Sequence, residues 1–295
     1  MLAPLQREIS DTGVAYSHVR VVFDRGARRA DVTVQGPGEL AGLEWSLLLA
    51  RELDDAILHL RLNEPTLGLV VLHSAGDAAG VLAADELLEA RKDDWLVREV
   101  RLYWKRVLKR LDMTSRSLIA LIEPGSCFAG TLAELLFAAD RSVMFVGGGN
   151  RGPAQMHLSA LNFGAYPMGN GLTRLATRFL GEPDSFAAAR ARMDEALDAE
   201  HAEALGLVTA AYDETDWDDE VRLMLEERAS FSPDALTAME ANLRFAGPET
   251  METRIFGRLT AWQNWVFQRP SAAGEEGSLK RYGSGLRPKF DAERV

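Results

Sequence analysis

Hydrophobic and polar positions follow two different periods along the chain. His18–Asp24 and Arg29–Gln35 alternate at every second residue, which predicts two half-buried strands joined by a short turn. Leu67–His73 and Ser117–Ile122 are short, continuous apolar runs, as is typical of buried parallel strands. From Trp45 to Leu60 the apolar residues recur at helical spacing, so this segment predicts an amphipathic helix.

Strands and helices then alternate as far as a third apolar run at Ser142–Val146. This order predicts an α/β fold with a mainly parallel sheet and right-handed crossovers. The second half is mostly helical. The helices predicted after Trp45–Leu60 are Leu82–Glu89, Asp94–Leu111, Thr131–Ala139, Gly169–Leu180, Ser185–Ala191, Asp198–Leu205, Trp217–Ala229, Asp234–Phe245 and Met251–Phe267.

The same pattern divides the chain into four parts. Residues 1–17 are polar and predict an arm or linker, and residues 18–230 carry the strand–helix core. Residues 231–270 predict a C-terminal helical region. Residues 271–295 are polar and Gly-rich, which favours an extended tail.

Composition and charge narrow the classes of function. The chain has 295 residues, a formal net charge of −11 and a pI of about 5.1. This acidity argues against nucleic acid as a partner. Cys127 is the single cysteine, which excludes an intramolecular disulfide and cysteine-based zinc sites, and we expect no metal site. With no long apolar run and no signal-peptide pattern, we expect a cytoplasmic protein without a membrane partner.

Three Gly-containing segments stand in a characteristic order: Leu69–Leu88, Leu118–Asp140 and Phe163–Leu175. A later stretch, Ala199–Val208, reads AEHAEALGLV. Together they resemble the motifs of the crotonase (enoyl-CoA hydratase/isomerase) superfamily. The resemblance implies the crotonase (ClpP-like) fold, a repeated β-β-α spiral core followed by a helical C-terminal region.

The resemblance also implies a site for the thioester of an acyl-CoA. Gly130 lies at a strand-to-helix junction, where backbone N–H groups are unpaired and the helix dipole is positive. In the family, the second donor comes from the segment that matches Ala83 or Ala84. Two such donors would stabilise an oxyanion or enolate. The alternative is that Gly125 and Gly130 serve only turns and packing.

Further residues are expected around the bound thioester. We expect Leu82, Asp85 and Cys127 to line it. Asp85 also matches a family position that caps or pairs at a helix end, and a small buried cysteine such as Cys127 is usually inert packing. His157 borders the expected acyl pocket as a base or ligand-orienting group, or else it faces solvent.

The chain departs from the family where hydratases carry two glutamates. Those positions are Ala133 and Ala160, neither of which transfers a proton. Ordinary hydration of an enoyl-CoA is therefore not expected. Glu134 is adjacent to the first position, where it either turns into the site as a catalytic group or lies on the helix surface.

The C-terminal stretch Asn242–Pro270 carries a more specific resemblance, joined by the opening segment 3–13 and by Ile122–Leu135. These segments are similar to the second half of the benzoyl-CoA-dihydrodiol lyase family. That resemblance implies ring opening of 2,3-epoxybenzoyl-CoA with release of formate, in aerobic benzoate degradation. In that family the first half carries the catalytic carboxylates, which would explain the missing glutamates here.

Three functions stay open from the sequence. The chain is a lyase unit working with a first-half crotonase-like chain, a non-catalytic binding or assembly module, or a crotonase with another reaction (decarboxylase, isomerase or thioesterase). We expect no cofactor beyond the coenzyme A of the thioester substrate, and the family resemblance favours a homo-oligomer.

Overall fold

The backbone forms one eight-stranded sheet in which the strands lie in the order of the chain. The structure is a computed structural model that describes residues 2–39, 42–193 and 195–293. Its strands are β1 (Glu8–Ser10), β2 (Gly13–Ala15), β3 (Val19–Asp24), β4 (Arg29–Gln35), β5 (Leu69–Ala75), β6 (Ser117–Ile122), β7 (Arg141–Phe145) and β8 (Ala210–Tyr212).

Strand direction changes once along this sheet. Strands β1 to β4 pair antiparallel, and β4 to β8 pair parallel. Each parallel neighbour is reached through a crossover that contains helices, as parallel pairing requires. Because every crossover adds the next strand at the same edge, the core advances as a spiral. The predicted α/β fold with a mainly parallel second part is confirmed.

The helices connect the parallel strands and form the C-terminal region. They are α1 (Gly42–Asn63), α2 (Ala78–Ala90), α3 (Trp95–Leu111), α4 (Gly130–Ala138), α5 (Arg174–Arg178), α6 (Pro183–Ala191), α7 (Ala199–Ala204), α8 (Trp217–Ala229), α9 (Pro233–Leu243), α10 (Thr260–Phe267), α11 (Pro270–Ala273) and α12 (Ser278–Arg281). A 3-10 helix lies at Ala160–Phe163 and a π-helical stretch at Thr253–Leu259. In the part of the chain that the structure describes, no helix is long and apolar enough to cross a membrane.

Segments with a strong period were predicted well. The bounds of β4, β6 and α8 agree with the prediction to the residue, and α3 begins one residue later, after its N-cap Asp94. The Asp94 side chain accepts from the N–H groups of Leu96 and Val97, which satisfies two donors at the start of that helix.

The predicted N-terminal arm is wrong in part, because residues 1–17 contain β1 and β2. These strands form a hairpin that pairs with β3, and Val14 is buried. Each strand has only three residues, and all of β1 is exposed, so no alternation was long enough to reveal them.

Two other predictions failed where local chemistry overrides the apolar period. The helix predicted at Gly169–Leu180 is limited to α5, because the Thr173 side chain caps the helix at Ala176 N. The predicted extended tail contains α12 and almost all of α11. By contrast, the helix predicted at Met251–Phe267 is confirmed, and it contains a π-helical stretch at Thr253–Leu259.

Candidate functional site

The loop after β6 is fastened to the loop after β5. Gly76 N–H donates to the Gly125 carbonyl at 3.1 Å, and Cys127 N–H donates to Ser74 Oγ at 3.0 Å. Gly125 has φ +85°, a conformation that favours glycine in a tight turn. These contacts place the following residues, Phe128 and Ala129, inside the core, where both are buried.

Cys127 lies fully buried in this loop. Burial raises the pKa of its thiol to about 11, against weaker opposing hydrogen bonds from Ser74 and the backbone. The thiol is therefore protonated near neutral pH, and only the thiolate is a nucleophile. The geometry supports the alternative that Cys127 is an inert packing residue and does not line a thioester site.

Gly130 begins α4, and its N–H group is already paired. It donates to the His157 carbonyl at 3.1 Å. The backbone there has φ +45°, and a Cβ atom would lie 1.9 Å from Asp85 Oδ2. Only glycine fits this position, as the sequence suggested, but the expectation of a free Gly130 N–H is wrong in this structure.

The rest of the first turn of α4 is also satisfied within the protein. Thr131 N–H donates to Asp85 Oδ2 at 2.8 Å. The N–H groups of Leu132 and Ala133 both donate to the Ala129 carbonyl, at 2.9 and 3.3 Å. The donors that usually remain open at a helix N-terminus therefore have protein acceptors here.

Asp85 provides the anion at this helix N-terminus. Its Oδ2 also accepts from Ser159 Oγ at 2.6 Å, and its Oδ1 accepts from Thr131 Oγ1 at 2.5 Å. The carboxyl is buried, and burial raises its pKa to about 6, partly offset by the hydrogen bonds from Ser159 and Thr131. This arrangement agrees with the capping role that the sequence offered for Asp85.

The second predicted donor is not available either. Leu82, Ala83 and Ala84 all lie inside α2, where each N–H bonds the carbonyl four residues earlier. Ala84 is buried close to Gly42 at the start of α1, whereas Ala83 faces solvent and Leu82 is half-buried. The structure therefore does not bring free N–H groups of Ala83 or Ala84 together with Gly130, and that expectation is corrected.

Glu134 takes neither of the two positions considered from the sequence. It is 1% exposed, and its carboxylate accepts from Asn162 Nδ2 at 2.8 Å and from Arg174 Nη1 at 3.0 Å. Arg174 also pairs bidentately with the buried Asp112, at 3.1 and 2.6 Å. Burial raises the pKa of both carboxyls against the attraction of Arg174. Glu134 thus belongs to a buried ionic cluster.

The two alanines at the family's glutamate positions lie in different surroundings. Ala133 is buried within α4, and Ala160 is exposed at the start of the 3-10 helix.

His157 is half-buried, and burial lowers its pKa. Its backbone bridges to Ala129, so its position is set by main-chain pairing.

Two residues of this network were not anticipated. Ser159 and Asn162 form a capping box, with Ser159 N–H donating to Asn162 Oδ1 at 3.0 Å. Asn162 also donates to the Gly130 carbonyl at 2.9 Å. The spacing of three residues between Ser159 and Asn162 was the signal in the sequence that could have predicted this capping box.

Among the described residues no group of three His, Cys, Asp or Glu side chains is arranged to hold a metal ion.

Comparison with solved structures defines the class of fold. An enoyl-CoA hydratase/carnitine racemase from Magnetospirillum magneticum superposes with a TM-score of 0.67 at 20% identity, covering 96% of this chain and 98% of that one. An enoyl-CoA hydratase/isomerase from Marinobacter aquaeolei gives 0.66 at 18% identity, covering 94% and 99%. The chain therefore has the crotonase fold, and the fold expected from the sequence motifs is confirmed.

A curated relative supplies the more specific match. The benzoyl-CoA-dihydrodiol lyase of Aromatoleum evansii is 49% identical over 305 residues, which covers 100% of this chain and 55% of that protein. The chain is thus related along its whole length to that lyase, and the resemblance seen in the sequence is confirmed. It spans about half the length of the lyase. No protein-family model matches the chain.

Proposed function

We propose that the chain is one unit of an acyl-CoA lyase of the benzoyl-CoA-dihydrodiol lyase type. The observation that carries the proposal is the 49% identity to a protein of that name, extending over the whole chain. The reaction proposed for the complete enzyme is ring opening of 2,3-epoxybenzoyl-CoA with release of formate. The substrate class is a coenzyme A thioester, and the crotonase fold is compatible with it.

Within that enzyme, this unit supports the reaction without polarising the thioester at the start of α4. The N–H groups of Gly130 and Thr131 are bonded to His157 and Asp85, and Glu134 is held by Arg174. An acyl oxygen would have to displace the His157 carbonyl from Gly130 and the Asp85 carboxylate from Thr131 to gain these donors. The proposal therefore assigns the reacting centre to the part of the lyase that this chain does not match.

An exposed apolar surface offers a place for that other part. The side chains of Met251, Phe256 and Leu259, which are 72%, 71% and 55% exposed, are named here the apolar C-terminal face. Large apolar side chains exposed within one helical segment favour an interaction surface there. We assign this face to the unit that corresponds to the remaining length of the lyase, because this chain covers only 55% of that protein.

Release of formate from 2,3-epoxybenzoyl-CoA tests the proposal. Three samples would be assayed: the chain alone, the unmatched segment of the Aromatoleum evansii lyase alone, and a mixture of the two polypeptides. We expect formate only from the mixture, and we expect Glu134→Gln to retain that activity because glutamine still accepts from Arg174. A mixture that associates yet releases no formate would refute the lyase assignment.

Sedimentation of the same mixture tests the surface. Phe256→Asp introduces a charge on the apolar C-terminal face and should weaken association about tenfold or more. Leu102→Asp is the matched control, because Leu102 is an exposed leucine on α3. Association that survives Phe256→Asp, or self-association of this chain alone through the same face, would contradict the assigned partner.

A further inference from the structure

A cavity lies at the C-terminal end of α4, away from Gly130. It has a volume of about 400 Å³ and is bounded by the last turn of α4, by α5 and by α9. We call it the arginine cleft, lined by Arg116, Arg178, Arg228, Met168, Leu236 and Leu243 among others. Its size is within the range of small-molecule sites.

Positive charge exceeds negative charge in this cleft, although the whole chain carries −11. Five arginines and two carboxylates line it. Arg174 is neutralised by Asp112 and Glu134, and Arg244 pairs with Asp140 at 3.0 Å. The other carboxylate, Glu240, accepts from Ser115 N–H at 2.7 Å.

The remaining three guanidinium groups have no salt bridge within the described residues. Arg116 is buried and donates only to main-chain carbonyls, those of Leu60, Glu64, Leu67 and Thr114. Arg178 donates through Nε to the Gly206 carbonyl at 2.6 Å. Arg228 lies over the Phe231 ring.

Glu240 favours the charged form of Arg116, but burial disfavours the charge of both Arg116 and Arg178. Burial lowers the pKa of Arg116 to about 10, and it lowers the pKa of Arg178 with no opposing carboxylate. Arg178 and Arg228 are half-buried in the cleft and have no carboxylate partner among the described residues, so an anion there would supply one. Guanidinium groups bind carboxylates through two parallel hydrogen bonds.

The rest of the lining is apolar. Met168, Leu236 and Leu243 stand beside the arginines, and Phe137 and Met239 extend the same lining. Inorganic phosphate would leave this surface unused, whereas an aromatic or short acyl group would cover it. The two kinds of lining together select an anion that has a hydrophobic body.

We propose that the arginine cleft binds a small organic carboxylate with an apolar body, its carboxylate paired with Arg178 and Arg228. The site is separate from the start of α4 and does not depend on the proposed lyase activity. Benzoate is the probe that matches this chemistry.

Titration calorimetry of the full chain with benzoate, inorganic phosphate and benzyl alcohol tests the proposal. Benzoate should bind and weaken with added salt, phosphate should bind less tightly, and neutral benzyl alcohol should bind least. Arg178→Gln and Arg228→Gln should each weaken benzoate binding about tenfold. Arg222→Gln, on the same helix as Arg228 but outside the cleft, should leave it unchanged.

Arg178→Gln removes the hydrogen bond to the Gly206 carbonyl and could disturb the fold. Arg228→Gln is the safer variant, because Arg228 lies over the Phe231 ring and does not make that bond. No heat of binding with benzoate at about 10 mM would overturn the proposal. So would wild-type affinity in both cleft variants. Phosphate binding as tightly as benzoate would overturn the apolar part of the assignment.

Discussion

The carboxylate of Asp85 accepts a hydrogen bond from the backbone N–H of Thr131 at 2.8 Å, in the first turn of α4. An internal anion thus occupies the helix N-terminus at which the family resemblance implied an acyl oxygen. A helix start stabilises negative charge whether that charge comes from a ligand or from the protein. Here the protein supplies it.

Gly130→Ala should destabilise the fold more than the same change at Gly125. At Gly130 the new Cβ would meet Asp85 Oδ2 at 1.9 Å, whereas nothing lies within 4 Å of that position at Gly125. Both residues have positive φ, so both substitutions carry a backbone cost of about 1 kcal/mol. We expect a total loss of about 3 kcal/mol or more at Gly130. Urea denaturation followed by circular dichroism measures both, and equal losses would contradict the close approach of Asp85.

Asp85 should make stability depend on pH. Its folded pKa of about 6 lies above the value of about 3.9 in an unfolded chain, so the folded state binds more protons between these values. The free energy of unfolding should therefore fall as pH rises from about 4 to about 6. Across this window the wild type should lose about 2 kcal/mol more than Asp85→Asn. If the free energy of unfolding changed with pH in the same way in both proteins, Asp85 would not be buried as described.

Arg174→Met should be strongly destabilising, because it leaves Asp112 and Glu134 buried without a cation. Removing one partner from a buried ionic cluster costs about 3–5 kcal/mol. The exposed Arg222→Met removes a surface cation and should cost less than about 1 kcal/mol. The free energy of unfolding in urea distinguishes them. A loss at Arg174 as small as that at Arg222 would contradict the buried cluster.

Cys127 should react with iodoacetamide only when the protein unfolds. Its thiol is buried and has a pKa of about 11, so at pH 8 it is both inaccessible and protonated. Labelling would be followed by mass spectrometry in buffer and in urea, with the urea sample as the fully reactive control. Rapid labelling in buffer would instead place Cys127 in an open acyl site.

Periodicity was enough to predict the elements of the core. The runs that became β4, β6 and α8 have unambiguous periods, and their bounds were predicted to the residue. The hairpin of β1 and β2 was missed because three-residue strands show no period. The motifs predicted an oxyanion site at the α4 N-terminus, where the structure has an internal hydrogen-bond network.

The partners within that network were beyond local reasoning. Thr131 and Asp85 are 46 residues apart, and Arg174 and Asp112 are 62 residues apart. Whether an N–H at a helix start is free depends on which distant side chain approaches it. For Glu134 the sequence offered a catalytic or a surface position, and only the fold places Arg174 and Asn162 beside it.

We propose that this unit does not polarise a thioester at the start of α4. Isotope-edited infrared spectroscopy of benzoyl-CoA carrying a ¹³C-labelled thioester carbonyl tests it directly. With excess of this chain alone we predict a carbonyl stretch unchanged from that of free benzoyl-CoA. In the mixture with the unmatched lyase segment we predict a shift to lower frequency. A shift of that kind with this chain alone, lost in Gly130→Ala, would contradict the account.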